Sequence, residues 1–124
     1  MSRVFKKTIH VTEWKKIEDY CLKNGFKGNK LNYKLEDDKY YNDFLLQTNL
    51  DERTFISRKI THLGFWEGKA MCQASLCIYI YPDYINGDIA NSVQILRNIT
   101  TCQEFVDLVS KDNILHTIAK QFNL

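Results

Sequence analysis

The sequence predicts an α+β domain: a mostly antiparallel sheet of about four to five strands, with N-terminal and C-terminal helices packed on one of its faces. Three observations lead there. Residues 70–81 alternate strictly, with Ala70, Cys72, Ala74, Leu76, Ile78 and Ile80 at every second position and Met71, Gln73, Ser75, Cys77, Tyr79 and Tyr81 between them. A two-residue period puts each set on its own face of an extended strand, whereas helical periodicity would scatter the apolar set around a cylinder. Next, Thr54 to Phe65 is rich in β-branched residues and is joined to that strand by Glu67-Gly68, so 54–65 against 69–81 is the natural hairpin. Finally, the clearest helical stripes lie toward the two ends, and strands grouped between terminal helices give the α+β class.

Taken in order, Val4 to Val11 reads as a strand with Phe5, Ile9 and Val11 on one face and Lys6, Thr8 and His10 on the other. Thr12 is the expected cap of a helix whose stripe is Trp14, Ile17 and Cys21, widened by Tyr20, and Asn24-Gly25 is its stop. Phe26-Lys27-Gly28-Asn29 follows as a loop, and Leu31, Tyr33 and Leu35 alternate with Lys30, Asn32 and Lys34 as a short strand. Glu36-Asp37-Asp38-Lys39 is a turn or a helix start. Tyr40, Tyr41, Phe44 and Leu45 fit a helical stripe capped by Asp37 or Asp38, and Tyr41, Asp43 and Leu45 fit a strand poorly. Residues 37–48 therefore lean to helix, with strand as the alternative. Pro82 closes the central strand by withholding a donor, Asn86-Gly87 marks a turn, and Val93, Ile95 and Ile99 mark a further strand. Thr101-Cys102-Gln103-Glu104 is a capping box opening a helix with Cys102, Phe105, Val106, Leu108 and Val109 apolar. Asp112 or Asn113 caps a last helix carrying Ile114, Leu115, Ile118, Ala119 and Phe122.

The 124 residues form one domain on this reading, large enough to bury a core without metal or disulfide. Hydrophobic residues at 44% and charged residues at 26% are ordinary globular values and argue against a disordered or fibrous chain. No apolar run reaches the ~18 residues of a membrane span, and Met1 to Lys7 lacks the apolar core of a signal, so a cytoplasmic location and no membrane partner are expected. Four cysteines, at 21, 72, 77 and 102, form no CxxC pair. Cys72 and Cys77 stand an odd number of steps apart on one strand and point to opposite faces, so free thiols are expected. The net charge of +2 conceals an asymmetry: residues 1–35 carry +6 and residues 36–53 carry −4. A basic first quarter can face an anionic partner, or simply be balanced by the acidic segment beside it.

Catalysis finds little support. His10, His62 and His116 fall on three different elements, none spaced to a Cys, Asp or Ser in a recognisable way. A Cys77–His62 pair across the hairpin is the one nucleophile–base arrangement that adjacent strands could assemble, and buried thiols and satisfied histidines are commoner. Asp83 to Asp88 fails as a calcium loop, because aligning Gly87 with the invariant glycine puts Pro82 and Tyr84 where oxygen ligands are required. No catalytic residue, metal or cofactor is assigned.

Two stretches carry family resemblances. Lys6-Lys7-Thr8-Ile9-His10-Val11-Thr12-Glu13-Trp14-Lys15-Lys16-Ile17-Glu18 resembles the strand-then-helix opening of ribbon-helix-helix repressors, whose paired strands enter the major groove. A second helix would there have to run through Gly28 and Asn29. Gly25-Phe26-Lys27-Gly28, after a helix, is similar to the GxxG loop with which KH domains clamp an RNA backbone, although a strand-like pattern follows. Either resemblance implies nucleic-acid binding through Lys6, Lys7, Lys15, Lys16, Lys27 and Lys30; otherwise these lysines are a solvated face and Gly25 ends a helix.

The hairpin tip, Gly64-Phe65-Trp66-Glu67-Gly68, sets two large aromatics near a turn, and Tyr79 and Tyr81 stand on the second face of the central strand. Exposed aromatics are frequent interface anchors. Phe65, Trp66, Tyr79 and Tyr81 are therefore the expected partner-binding residues, and the tyrosine face is also a candidate homodimer seam. The first functional expectation is a small non-catalytic binding protein that covers a surface of a macromolecular partner, as inhibitors, immunity proteins and phage- or plasmid-encoded counter-defence factors do. Nucleic-acid binding through the basic first quarter is the alternative.

Overall fold

In the computed structural model, which describes residues 8–30, 41–66, 69–82 and 90–122, helix α1 (Val11–Lys23) leads into strands β1 (Lys27–Lys30), β2 (Tyr41–Asn49), β3 (Thr54–Trp66), β4 (Lys69–Ile80) and β5 (Asn91–Asn98). Helices α2 (Cys102–Val109) and α3 (Lys111–Phe122) follow. The strands make one sheet in the order β1-β2-β3-β4-β5, each antiparallel to its neighbours. The expected α+β class holds.

The two-residue period of the central strand survives into three dimensions. Cys72, Ala74, Leu76 and Ile78 are buried, and cross-strand register extends this greasy face through Phe44–Ile60–Ala74 and Ile56–Ile78–Val93. The helices close over it with Trp14, Ile17 and Cys21 of α1, Phe105, Leu108 and Val109 of α2, and Ile114 and Ile118 of α3. Each large apolar side chain removed from water this way contributes about 1.5–3 kcal/mol. Arg58 sits on the same face, half-buried, and donates from Nη1 to Thr48 Oγ1 at 2.8 Å.

Several expectations change. Residues 41–49 are strand, not helix, because Phe44 lies opposite Ile60 and Leu46 opposite Arg58. That pairing buries Phe44 completely and turns Leu45 to the opposite face, where a helical stripe would have kept the two together. The Lys27 to Asn29 stretch is strand β1 instead of loop, while the proposed 31–35 strand, the 36–39 turn and the Asn86-Gly87 turn lie outside the described residues. Val11 is the first residue of α1 and is 45% exposed, and His10, not Thr12, caps that helix, its Nδ1 accepting from the Thr12 N–H at 3.2 Å. At the other end Asn24 closes α1 and Gly25 takes φ 82°, the left-handed turn that glycine tolerates best.

Capping explains the C-terminal pair. Thr101 Oγ1 accepts from the Glu104 N–H at 3.2 Å, as the capping box requires, but the Glu104 carboxylate receives the hydroxyls of Thr100 and Thr101 rather than a backbone N–H. Ser110, not Asp112 or Asn113, caps α3, its Oγ accepting from the Asn113 N–H at 3.1 Å. Of the apolar positions expected in α3, Ile114 and Ile118 are buried and Phe122 partly so, while Leu115 is 43% exposed and Ala119 is exposed. Helix α1 is tied to α2 by Glu13, whose Oε1 accepts the Cys102 N–H at 2.8 Å and whose Oε2 meets Lys16 Nζ at 2.9 Å. A carboxylate at the start of α2 satisfies a donor the helix leaves orphaned.

Candidate functional site

The helices cover one face of the sheet, and among the described residues nothing covers the other. Register assigns Lys27 and Asn29 of β1, Asp43, Leu45, Gln47 and Asn49 of β2, and Phe55, Ser57, Lys59 and Thr61 of β3 to this open face. From β4 it receives Met71, Gln73, Ser75, Cys77 and Tyr79, and from β5 Ser92, Gln94, Leu96 and Asn98. Only Lys27, Asp43 and Lys59 among them carry charge. A solvated sheet face commonly bears alternating charged side chains; this one is built from amides, hydroxyls and apolar groups instead.

Its aromatic end is assembled from two strands. Phe55 lies directly opposite Tyr79, and the Tyr81 ring meets Phe55 edge-on at 5.4 Å. The Tyr81 N–H donates to the Arg53 carbonyl at 3.0 Å, which extends the ladder one residue past β4. Asp51 holds the β2–β3 turn below this cluster, its Oδ1 accepting the N–H groups of Arg53 and Thr54, both at 2.8 Å. Beside the cluster is a shallow hollow of about 240 Å³ lined by Gln47, Asn49, Phe55, Ser57 and Tyr79.

Of the four expected partner-binding residues, Tyr79 is exposed on this face at 39%, and Tyr81 is half-buried against Phe55. Phe65 and Trp66 belong to the far end of the hairpin, where their backbones pair with Ala70 and Lys69. Along an extended strand Phe65 stands ~33 Å from Phe55, so the structure does not gather the four into one patch. The side chains of Phe65 and Trp66 lie outside the described residues. Phe55, Leu45 and Leu96 were missed from sequence; the signal was their position on the solvent phase of each strand, which is legible only once the register is known.

The basic residues are likewise dispersed. Lys15 and Lys16 stand on the exposed side of α1, Lys16 bonded to Glu13, while Lys27 is on β1 opposite Leu45. Lys6 and Lys7, and the side chain of Lys30, lie outside the described residues. The GxxG likeness does not extend to structure: Phe26 is buried against Tyr20 and Phe105, at 6.2 and 5.9 Å between ring centroids, and Lys27-Gly28 is strand. Nor does a second helix follow α1, as the ribbon-helix-helix likeness requires; β1 does.

The Cys77–His62 pair is not assembled. Cys77 faces outward opposite Ser57, whereas His62 is on the helix side opposite Cys72, its ring 5.2 Å from that of Trp14. Cys72 itself is buried, its Sγ 3.5 Å from the Ile99 carbonyl, and burial pushes its thiol up to about 12. Such a thiol is not a nucleophile near neutrality. Among the described residues no three His, Cys, Asp or Glu side chains cluster as metal ligands, and no helix is long and apolar enough to cross a membrane.

These shifts set the pH range of stability. Backbone donors hold Asp51 below the usual carboxylate range, as the Cys102 N–H and Lys16 do for Glu13, and burial lowers His62. The unfolded chain takes up protons at these groups before the native state does, so stability falls as pH drops below about 6.5 and further through the carboxylate range. Burial raises the thiols of Cys21 and Cys72, so the unfolded chain loses their protons first and stability falls as pH rises past about 9. Urea midpoints measured across pH are therefore expected to plateau between these limits, and Cys72→Ala should flatten the alkaline limb. A midpoint that keeps rising beyond pH 9 would contradict the buried-thiol assignment.

No family model matches the chain, and no curated protein or solved structure is significantly similar to it.

Proposed function

We propose that this chain is a small non-catalytic binding protein that docks the helix-free face of its sheet on a protein partner, in the manner of inhibitors and immunity proteins. One observation carries the reading: among the described residues nothing covers a whole sheet face that holds Phe55, Tyr79, Leu45 and Leu96 and only three charges. Exposed apolar surface of this kind is uncommon on a lone domain and is characteristic of interfaces, where charged residues are depleted at the centre. Charge also selects the class of partner. A phosphate backbone is held by clustered Lys and Arg, whereas Lys27, Asp43 and Lys59 of this face are spread over three strands and sum to only +1. A protein surface that is itself weakly charged is the complementary occupant.

The test is affinity capture from the native host with the wild-type chain and with Tyr79→Arg and Ser75→Arg together, both of which place charge on the open face and leave the core untouched. A stoichiometric protein partner held by the wild type and released by the double variant, at unchanged thermal midpoint, is the expected result. Equal capture by both forms, or capture of nucleic acid that weakens steeply with salt, would overturn it.

A further inference from the structure

Strand β5 is one margin of the sheet: β4 pairs along one side of it and no described strand pairs along the other. Which backbone groups this leaves open follows from one bond. The Ile99 N–H donates to the Cys72 carbonyl at 3.1 Å, so the 72–99 pair is of the hydrogen-bonded kind, and by alternation so are 74–97, 76–95 and 78–93. The N–H and C=O groups of Ser92, Gln94, Leu96 and Asn98 therefore point away from the sheet. The contact of Arg97 Nη1 with the Leu96 carbonyl, at 2.9 Å, agrees with this direction.

Natural edges of this length are usually blocked by proline, a bulge or several charges. Strand β5 has no proline, its register with β4 is unbroken, and Arg97 is its only charge. The helix layer also thins out over it: Val93 and Ile95, on the helix side, remain half-exposed, and Leu96 on the other side is 50% exposed.

We infer that β5 pairs antiparallel with β5 of a second copy, joining two sheets into one across a two-fold axis. The occupant is a second copy because the edge is self-complementary. Its outward residues are symmetric about Ile95, so a single register sets Gln94 against the partner copy's Leu96 and Ser92 against its Asn98, and every outward N–H and C=O gains a partner. That register puts Ile95 against itself on the axis and Arg97 against Val93, so the cations do not oppose each other. The exposed Arg97 side chain has only to swing off the Leu96 carbonyl. A strand pair alone buries less than the ~1,000 Å² of a stable interface, so the dimer is concentration-dependent rather than obligate. It leaves the open sheet face free and does not depend on the docking role proposed above.

Sedimentation of the full chain from low to high micromolar concentration reads it: the mass is expected to rise from 14.7 kDa toward twice that value. Leu96→Pro removes an N–H that no other described strand uses and is expected to weaken dimerisation at least about tenfold; Gln94→Lys, which keeps the backbone donor, should act in the same direction. In a Cys77→Ser, Cys102→Ser background, Ile95→Cys puts two thiols at a non-hydrogen-bonded pair with Cα atoms about 4.5 Å apart, within disulfide reach, and should cross-link under mild oxidation faster than Gln94→Cys. A monomer mass at every concentration, dimerisation indifferent to Leu96→Pro and Gln94→Lys, or cross-linking no faster at 95 than at 94 would each overturn the proposal.

Discussion

Replacing Trp14 by alanine is expected to cost about 3–5 kcal/mol, a large share of the ~5–15 kcal/mol that holds a domain folded. Trp14 is 1% exposed and wedged under the sheet, its ring 6.3 Å from Phe44 of β2 and 5.2 Å from His62 of β3. Truncation opens a cavity where α1 meets two strands, and a close-packed interior refills such a space only in part. Trp14→Phe separates volume from polarity. The indole Nε1 is buried with no acceptor among the described residues, so phenylalanine forfeits no hydrogen bond there and gives up only part of the ring. Its expected cost is under about 1.5 kcal/mol. Urea denaturation with an unchanged slope measures both. A Trp14→Ala loss below 1 kcal/mol would mean that α1 does not anchor on the sheet through this ring.

Phe105→Ala is expected to cause a loss of similar size, about 3–5 kcal/mol, by a different route. Phe105 is fully buried and meets Tyr20 of α1 edge-on at 6.0 Å and Phe26, just ahead of β1, at 5.9 Å. It therefore joins the C-terminal helices to the N-terminal helix across most of the sequence, and edge-to-face aromatic pairs add about 0.5–1.5 kcal/mol to plain burial. Phe105→Leu should recover more than half of the loss. Combining Phe105→Leu with Tyr20→Leu should cost less than the sum of the two single changes, since each already removes the shared contact. Strict additivity would show that the two rings act independently.

The open face should respond in the opposite way. Tyr79 is exposed, so Tyr79→Ala changes stability by no more than about 0.5 kcal/mol while removing a ring from the proposed docking face. A surface whose loss spares the fold is free to be shaped by a partner.

Local chemistry was enough for the elements whose period and caps lie within a few residues of each other. The alternation of residues 70–81, the Trp14, Ile17 and Cys21 stripe with its Asn24-Gly25 stop, and the Thr101 to Glu104 cap all read directly, because each depends on which side a neighbouring residue points. The tertiary structure alone made 41–49 a strand: Phe44 and Leu46 alternate convincingly only when Ile60 and Arg58 are laid opposite them. It also separated Cys77 from His62, drew Phe55 and Tyr81 together, and left the outward groups of β5 without a partner among the described strands. Cross-strand register joins residues far apart in the chain, and a period within one segment carries no information about which partner will face it.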